Sequence, residues 1–128
     1  MRRGGIGTSL AVILAATHAA AQMTLPAAAP VDGATQFKRQ CATCHTLSAS
    51  DAQRQGPTLA GVLGRRAGSV PGFHYSAGFE QASWTWDADN LDTWISNPSA
   101  MIPGTVMIYH QPNPAIRKQV IDYLKGQH

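Results

Sequence analysis

Five consecutive residues, Cys41-Ala42-Thr43-Cys44-His45, constrain this chain more than any other part of it. A C-x-x-C-H run is the attachment signature of covalently bound haem. Two thiols three positions apart reach the two vinyl groups of one porphyrin and form thioethers. The adjacent histidine is then held under the ring, where its imidazole can ligate iron. The chain contains 2 cysteines, and both lie in this run. A redox disulfide would call for a βαβ pattern around the pair, and none is visible. A zinc site would call for more ligands at zinc spacing, and there is no second cysteine pair.

The N-terminus reads as an export signal. Arg2 and Arg3 form a charged start, Ser9 to Ala16 a short apolar stretch, and Ala19-Ala20-Ala21 a small-residue cleavage site before Gln22. The alternative is an uncleaved anchor, although the stretch is short for a membrane span and carries Thr17 and His18. The arginine pair also hints at twin-arginine export. The general secretory route is preferred, because haem is joined to an unfolded chain after export. The expected organisation is a signal peptide over 1–21, a flexible lead-in over 22–32 and one domain over 33–128, placed in the periplasm.

Removing 1–21 changes the charge argument. The chain has 10 Lys+Arg against 7 Asp+Glu, and the leader takes two of the arginines, leaving 8 against 7. The whole-chain pI of about 9.2 therefore overstates how basic the working protein is. No basic cluster with interleaved aromatics is present, which argues against nucleic-acid binding. A chain this short, with 12 glycines and 8 prolines, would build a thin core alone. A buried macrocycle would add apolar surface for side chains to pack against.

Periodicity gives three helices and long irregular stretches. Gly33 to Cys41 suits a helix with Phe37 inward. Asp87 is a plausible N-cap for a helix to about Ser96, with Leu91, Trp94 and Ile95 on one face and Pro98 stopping it. Asn113-Pro114 opens the last helix as N-cap and first turn, with Val120, Ile121, Tyr123 and Leu124 as its apolar stripe. Residues 46–85 read as loops rich in glycine, proline and serine. So long a loop region normally counts against a compact domain, but it is a way to wrap a cofactor. No strand alternation, internal repeat or second domain is visible.

A sixth iron ligand could come from Met23, Met101, Met107, His74, His110 or His128. The segment Asn97-Pro98, followed by Ile102-Pro103-Gly104-Thr105-Val106-Met107, closely resembles class I c-type cytochromes of the mitochondrial and short bacterial type. In that family the methionine ending the run is the axial ligand, so the resemblance selects His45 and Met107 as the iron ligands. Met101 occupies a non-ligand apolar position of the family. The resemblance covers residues 33–125 and runs without gaps from Gly33 to Met107. It implies an all-α cytochrome c fold, three main helices and long loops wrapped around one haem c attached through Cys41 and Cys44.

The same frame assigns further roles. Gly33 and Phe37 match the pair that lets the first helix cross the last, against Val120 and Tyr123. Gly56-Pro57 matches the segment whose proline carbonyl accepts a hydrogen bond from the ligating histidine, so Pro57 should orient His45. By position, Arg65, Tyr75, Trp86 and Thr105 look like the groups that surround and hydrogen-bond the haem propionates. Taken alone, Arg65 would read as a solvated loop charge, and Tyr75 and Trp86 as core aromatics.

Departures stand beside these matches. Trp94 stands where the family usually has a tyrosine that hydrogen-bonds the methionine sulfur. Phe79 replaces an asparagine near the propionate, Tyr109 replaces a phenylalanine past the methionine, and one residue is missing before the last helix. Lysines that ring the exposed haem edge in mitochondrial members are replaced by neutral residues such as Thr35, Gln40, Ser99, Ala100 and Val106, leaving Arg54 and Lys38-Arg39.

The resemblance implies a soluble, monomeric one-electron carrier of a respiratory or other electron transport chain rather than an enzyme. Its implied partners are membrane or periplasmic redox proteins, such as a cytochrome bc complex, an oxidase, a reaction centre or a dehydrogenase. Two alternatives stay open: a haem subunit dedicated to one periplasmic dehydrogenase, and a haem sensor or peroxidase with a displaceable sixth ligand.

Overall fold

The computed structural model describes residues 31–128, together with Met1 and Gly4. The expected signal peptide and most of the lead-in lie outside the described residues. The chain order is α1 (Gly33–Gln40), a 3-10 turn (Ala77–Gln81), α2 (Ala88–Ser96), α3 (Pro98–Met101) and α4 (Pro114–Leu124). Among the described residues the only extended pairing is an isolated antiparallel bridge between Arg66 and Thr85.

Each main helix begins where a short polar side chain can satisfy its first free N–H groups. Asp32, the last residue of the expected lead-in, accepts from the Thr35 N–H and starts α1. Asp87 accepts from the Asn90 N–H at α2, and Asn113 from the Ala115 N–H at α4. Pro98 behaves differently from its expected role. Instead of only stopping α2, it is the first residue of α3, a single turn capped by Asn97, whose side chain accepts from the Ala100 N–H. The fixed φ of proline and its missing donor suit a helix start as well as a helix end.

α1 and α4 cross at Gly33. A Cβ there would lie 2.8 Å from Tyr123 Cβ and overlap the Gln119 carbonyl oxygen, so only glycine allows this approach. Phe37 packs on Tyr123 at this crossing, with ring centroids 5.7 Å apart. Val120 is buried in the same core. α2 packs on α4, fastened by Arg117, which donates to both carboxylate oxygens of Asp92 at 2.8 and 3.1 Å. Arg117 also donates to the Gln111 and Pro112 carbonyls at 3.0 Å each, fixing the segment that leads into α4.

The core joins Phe37, Val62, Trp86, Leu91, Trp94, Ile95, Ile102, Val120, Ile121 and Leu124. The long 46–85 stretch is ordered by backbone bonds to this frame. Gly61 N–H donates to the Gln127 carbonyl at 2.8 Å, and Trp86 N–H to the Arg65 carbonyl at 2.8 Å.

Candidate haem site

α1 ends directly into the C-x-x-C-H run. The Cys41 N–H closes α1 on the Phe37 carbonyl, and the Cys44 and His45 N–H groups donate to the Cys41 carbonyl at 3.1 and 3.0 Å. This turn places both thiols and the His45 ring on the wall of one cavity of about 570 Å³, within the usual range of ligand sites. Both cysteines are free. Burial, with Cys44 as a lesser cause, pushes the Cys41 thiol up to about 11.

His45 is held from two sides. Its Nδ1 lies 2.7 Å from the Pro57 carbonyl oxygen, which can only accept, so Nδ1 carries the proton and Nε2 keeps its lone pair. The adjacent Gly56 forms the second support. A Cβ on Gly56 would overlap Cε1 of His45 and lie 2.6 Å from Nδ1. Burial lowers the imidazole pKa below its ordinary value, against a smaller upward pull from the Pro57 carbonyl. The ring is therefore neutral at neutral pH, as metal ligation requires.

Met107 lies on the same cavity wall, whereas Met101 packs against the core from outside it. Among the other candidates, His74 also lines the cavity, while His110 and His128 do not; Met23 lies outside the described residues. The Met107 segment is pinned along its length. Val106 N–H donates to Ser76 Oγ at 3.1 Å, Met107 N–H to Thr105 Oγ1 at 3.3 Å, and Gln111 N–H to the Ile95 carbonyl at 2.8 Å. Tyr109 Oη donates to Gln40 Oε1, which also accepts from Gln111 Nε2 at 2.8 Å. Gln40 in turn donates to Gln36 at 2.6 Å, and Gln36 to Gln119 at 3.3 Å. This amide chain joins the methionine segment to α1 and α4. Sequence reading missed it, because a single glutamine carries no positional signal; the four-residue spacing of Gln36 and Gln40 is its one trace.

Arg65, Tyr75, Trp86 and Thr105 all line the cavity, as do Pro57 and both cysteines. Arg65 is the one lysine or arginine in that lining, and its guanidinium donates to the Thr58 and Ala60 carbonyls at 2.7 Å each. Burial lowers its pKa from the usual arginine value, partly offset by Tyr75. Tyr75 Oη accepts from the Val70 N–H at 3.1 Å. An aromatic chain builds the remaining wall: Phe73, Tyr75, Phe79, Trp94 and Trp86 stack successively at centroid distances of 4.8, 4.9, 5.5 and 5.7 Å. Phe79 and Trp94, two of the three aromatic departures in the pocket, thus pack on each other.

The donor chemistry fits a covalently attached macrocycle: two free thiols, an oriented neutral imidazole and a thioether around an apolar, aromatic-walled volume. Helices wrapped around such a cavity define a class of proteins that fold about a covalent prosthetic group. Comparison with known proteins specifies it. The cytochrome c family matches residues 30–127. Relatives include cytochrome c of Ulva intestinalis, 39% identical over 78% of this chain and 91% of the relative. Cytochrome c2 of Rhodomicrobium vannielii is 41% identical over 77% of this chain and 79% of its own length. Cytochrome c of Cochliobolus lunatus is 39% identical over 74% and 89%.

The chain belongs to the cytochrome c family, with its all-α fold and covalently bound haem c. Members of this family are electron-transfer proteins that act with redox partner proteins, not enzymes.

Proposed function

We propose that this protein is a one-electron carrier of the periplasm, holding haem c through Cys41 and Cys44 with His45 and Met107 as axial ligands. The observation that carries this reading is the meeting of both thiols, a neutral oriented His45 and Met107 on one cavity wall. Bound haem iron supplies the one-electron couple. The chain's residues set its terms. Pro57 fixes the tautomer of His45 and so presents Nε2. Met107 offers a neutral thioether, which favours the ferrous state. Phe79, Trp86 and Trp94 exclude water and make an extra positive charge costly, which also raises the potential. Arg65, Tyr75, Trp86 and Thr105 are the residues offered to the propionates. The periplasmic placement rests on the composition of residues 1–21. The partners are membrane or periplasmic redox proteins.

Carbon monoxide addition to the reduced protein, matured in a periplasm, tests the closed iron site. The carrier reading expects no binding on the timescale of mixing and a purified chain lacking residues 1–21. Prompt binding would instead support a sensor or peroxidase with a displaceable ligand.

A further inference from the structure

The line of side-chain amides leads from the methionine segment away from the haem cavity. Tyr109 Oη and Gln111 Nε2 both donate to Gln40 Oε1, the latter at 2.8 Å. Gln40 Nε2 donates to Gln36 Oε1 at 2.6 Å, and Gln36 Nε2 to Gln119 Oε1 at 3.3 Å. At Gln40 and Gln36 the amide accepts on one side and donates on the other, an order in which successive bonds polarise one another. Gln36 is 8% exposed, so removing either neighbour leaves a buried polar atom without its partner. Tyr109 and Gln40 line the cavity, but Gln36 and Gln119 do not. Gln119 belongs to the crossing of α1 and α4, where its backbone carbonyl faces Gly33.

We propose that Gln36, Gln40 and Gln119 are positioning residues for Met107. Acting through Tyr109 and Gln111, they set how fast the methionine leaves the iron, and so couple opening of the sixth position to the α1–α4 crossing. The inference rests on the reading of Met107 as axial ligand. Two observations carry it. First, among the described residues no backbone–backbone hydrogen bond holds residues 107–110, so side chains supply much of the restraint on this strip. Second, Tyr109 and Gln111 lie two and four residues past Met107, so withdrawing the methionine pulls on the chain that carries both. The link is this chain's own: Tyr109 stands where the family usually has phenylalanine, which has no hydroxyl to donate, and Gln40 where mitochondrial members carry a lysine.

The test is replacement of Met107 by added imidazole in the ferric holoprotein, followed as loss of the far-red sulfur-to-iron band. One sulfur–iron bond breaks and one nitrogen–iron bond forms, with no change in oxidation state. At high imidazole the rate levels off at the rate at which Met107 leaves. Tyr109→Phe, which removes only a hydroxyl, should raise that limiting rate about fivefold, the factor set by the net worth of one hydrogen bond. Gln40→Leu severs the chain at its hub and should raise it about tenfold. Gln119→Leu, away from the cavity, should raise it about threefold, yet add nothing in a protein already carrying Gln40→Leu, because both act through one chain. Asp87→Ala removes the α2 cap and lowers unfolding stability, but should leave the limiting rate at the wild-type value.

A wild-type limiting rate in Tyr109→Phe or in Gln119→Leu overturns the proposal. So does an equal increment from Gln119→Leu with and without Gln40→Leu, or an acceleration by Asp87→Ala in step with its lost stability. A wild-type protein without the far-red band refutes Met107 ligation itself. The band present with unmoved rates refutes the amide chain and leaves the ligand reading standing.

Discussion

His45 illustrates how a single side chain is positioned by its neighbours. The C-x-x-C-H spacing names it, but its orientation comes from Gly56 and Pro57, 11 and 12 residues away in the chain. The motif was legible because thioether attachment and iron ligation fix residue type and spacing together. The bracing by Gly56 was not, because a missing side chain leaves no periodic trace. It follows that Gly56→Ala should disturb the ring: its Cβ overlaps the imidazole, so the histidine or its loop must move. We expect a loss of about 1–3 kcal/mol in thermal or denaturant unfolding of the holoprotein, the range for overpacking a tight site. A shifted reduction potential should accompany it. Unchanged stability and potential would show that the ring does not depend on this contact.

At the scale of elements, helix ends were the most readable part of the sequence. Asp87 and Asn113 act as caps through local hydrogen bonds, and local chemistry is what sequence records. The α3 turn escaped notice because Pro98 reads equally as a stop and a start. The ordering of 46–85 was hidden because its backbone partners, such as Trp86 and Gln127, are distant in sequence.

α4 also carries a local charge device. Lys118 and Lys125 both donate to the Asp122 carboxylate, the latter at 2.7 Å, and hold its pKa down to about 2, Lys118 being the larger cause. A carboxyl whose folded pKa is depressed stabilises the fold above its unfolded pKa, and that contribution fades as pH falls toward the folded value. The stability difference between wild type and Asp122→Asn should therefore be present at pH 7 and shrink between about pH 4 and about pH 2. The groups are exposed, so the difference should be small and should weaken with added salt. Denaturant unfolding across that pH range checks it, and a difference that grows on acidification would contradict it.

At the scale of the whole molecule, the cavity dictates the architecture. Three long-range features meet around it: the Gly33 crossing of α1 and α4, the Arg117–Asp92 clasp of α2 to α4, and the amide chain from Gln119 to Tyr109. They tie together α1, α2 and α4, which contribute Gln40, Trp94 and Val120 to the cavity lining. The class was legible because a 5-residue run ending in His45 and an 11-residue run ending in Met107 stand at a fixed separation in the sequence. The aromatic wall and the amide chain emerge only when distant residues are brought together. Among the described residues no helix is long and apolar enough to cross a membrane.

The central claim is that His45 and Met107 close the iron site. The most direct measurement is the ferric absorption spectrum of the matured protein, searched for the weak far-red sulfur-to-iron charge-transfer band, with Met107→Ala alongside. The account predicts the band in wild type and its loss in the variant. A wild-type spectrum without the band, or a band that survives in Met107→Ala, would contradict it.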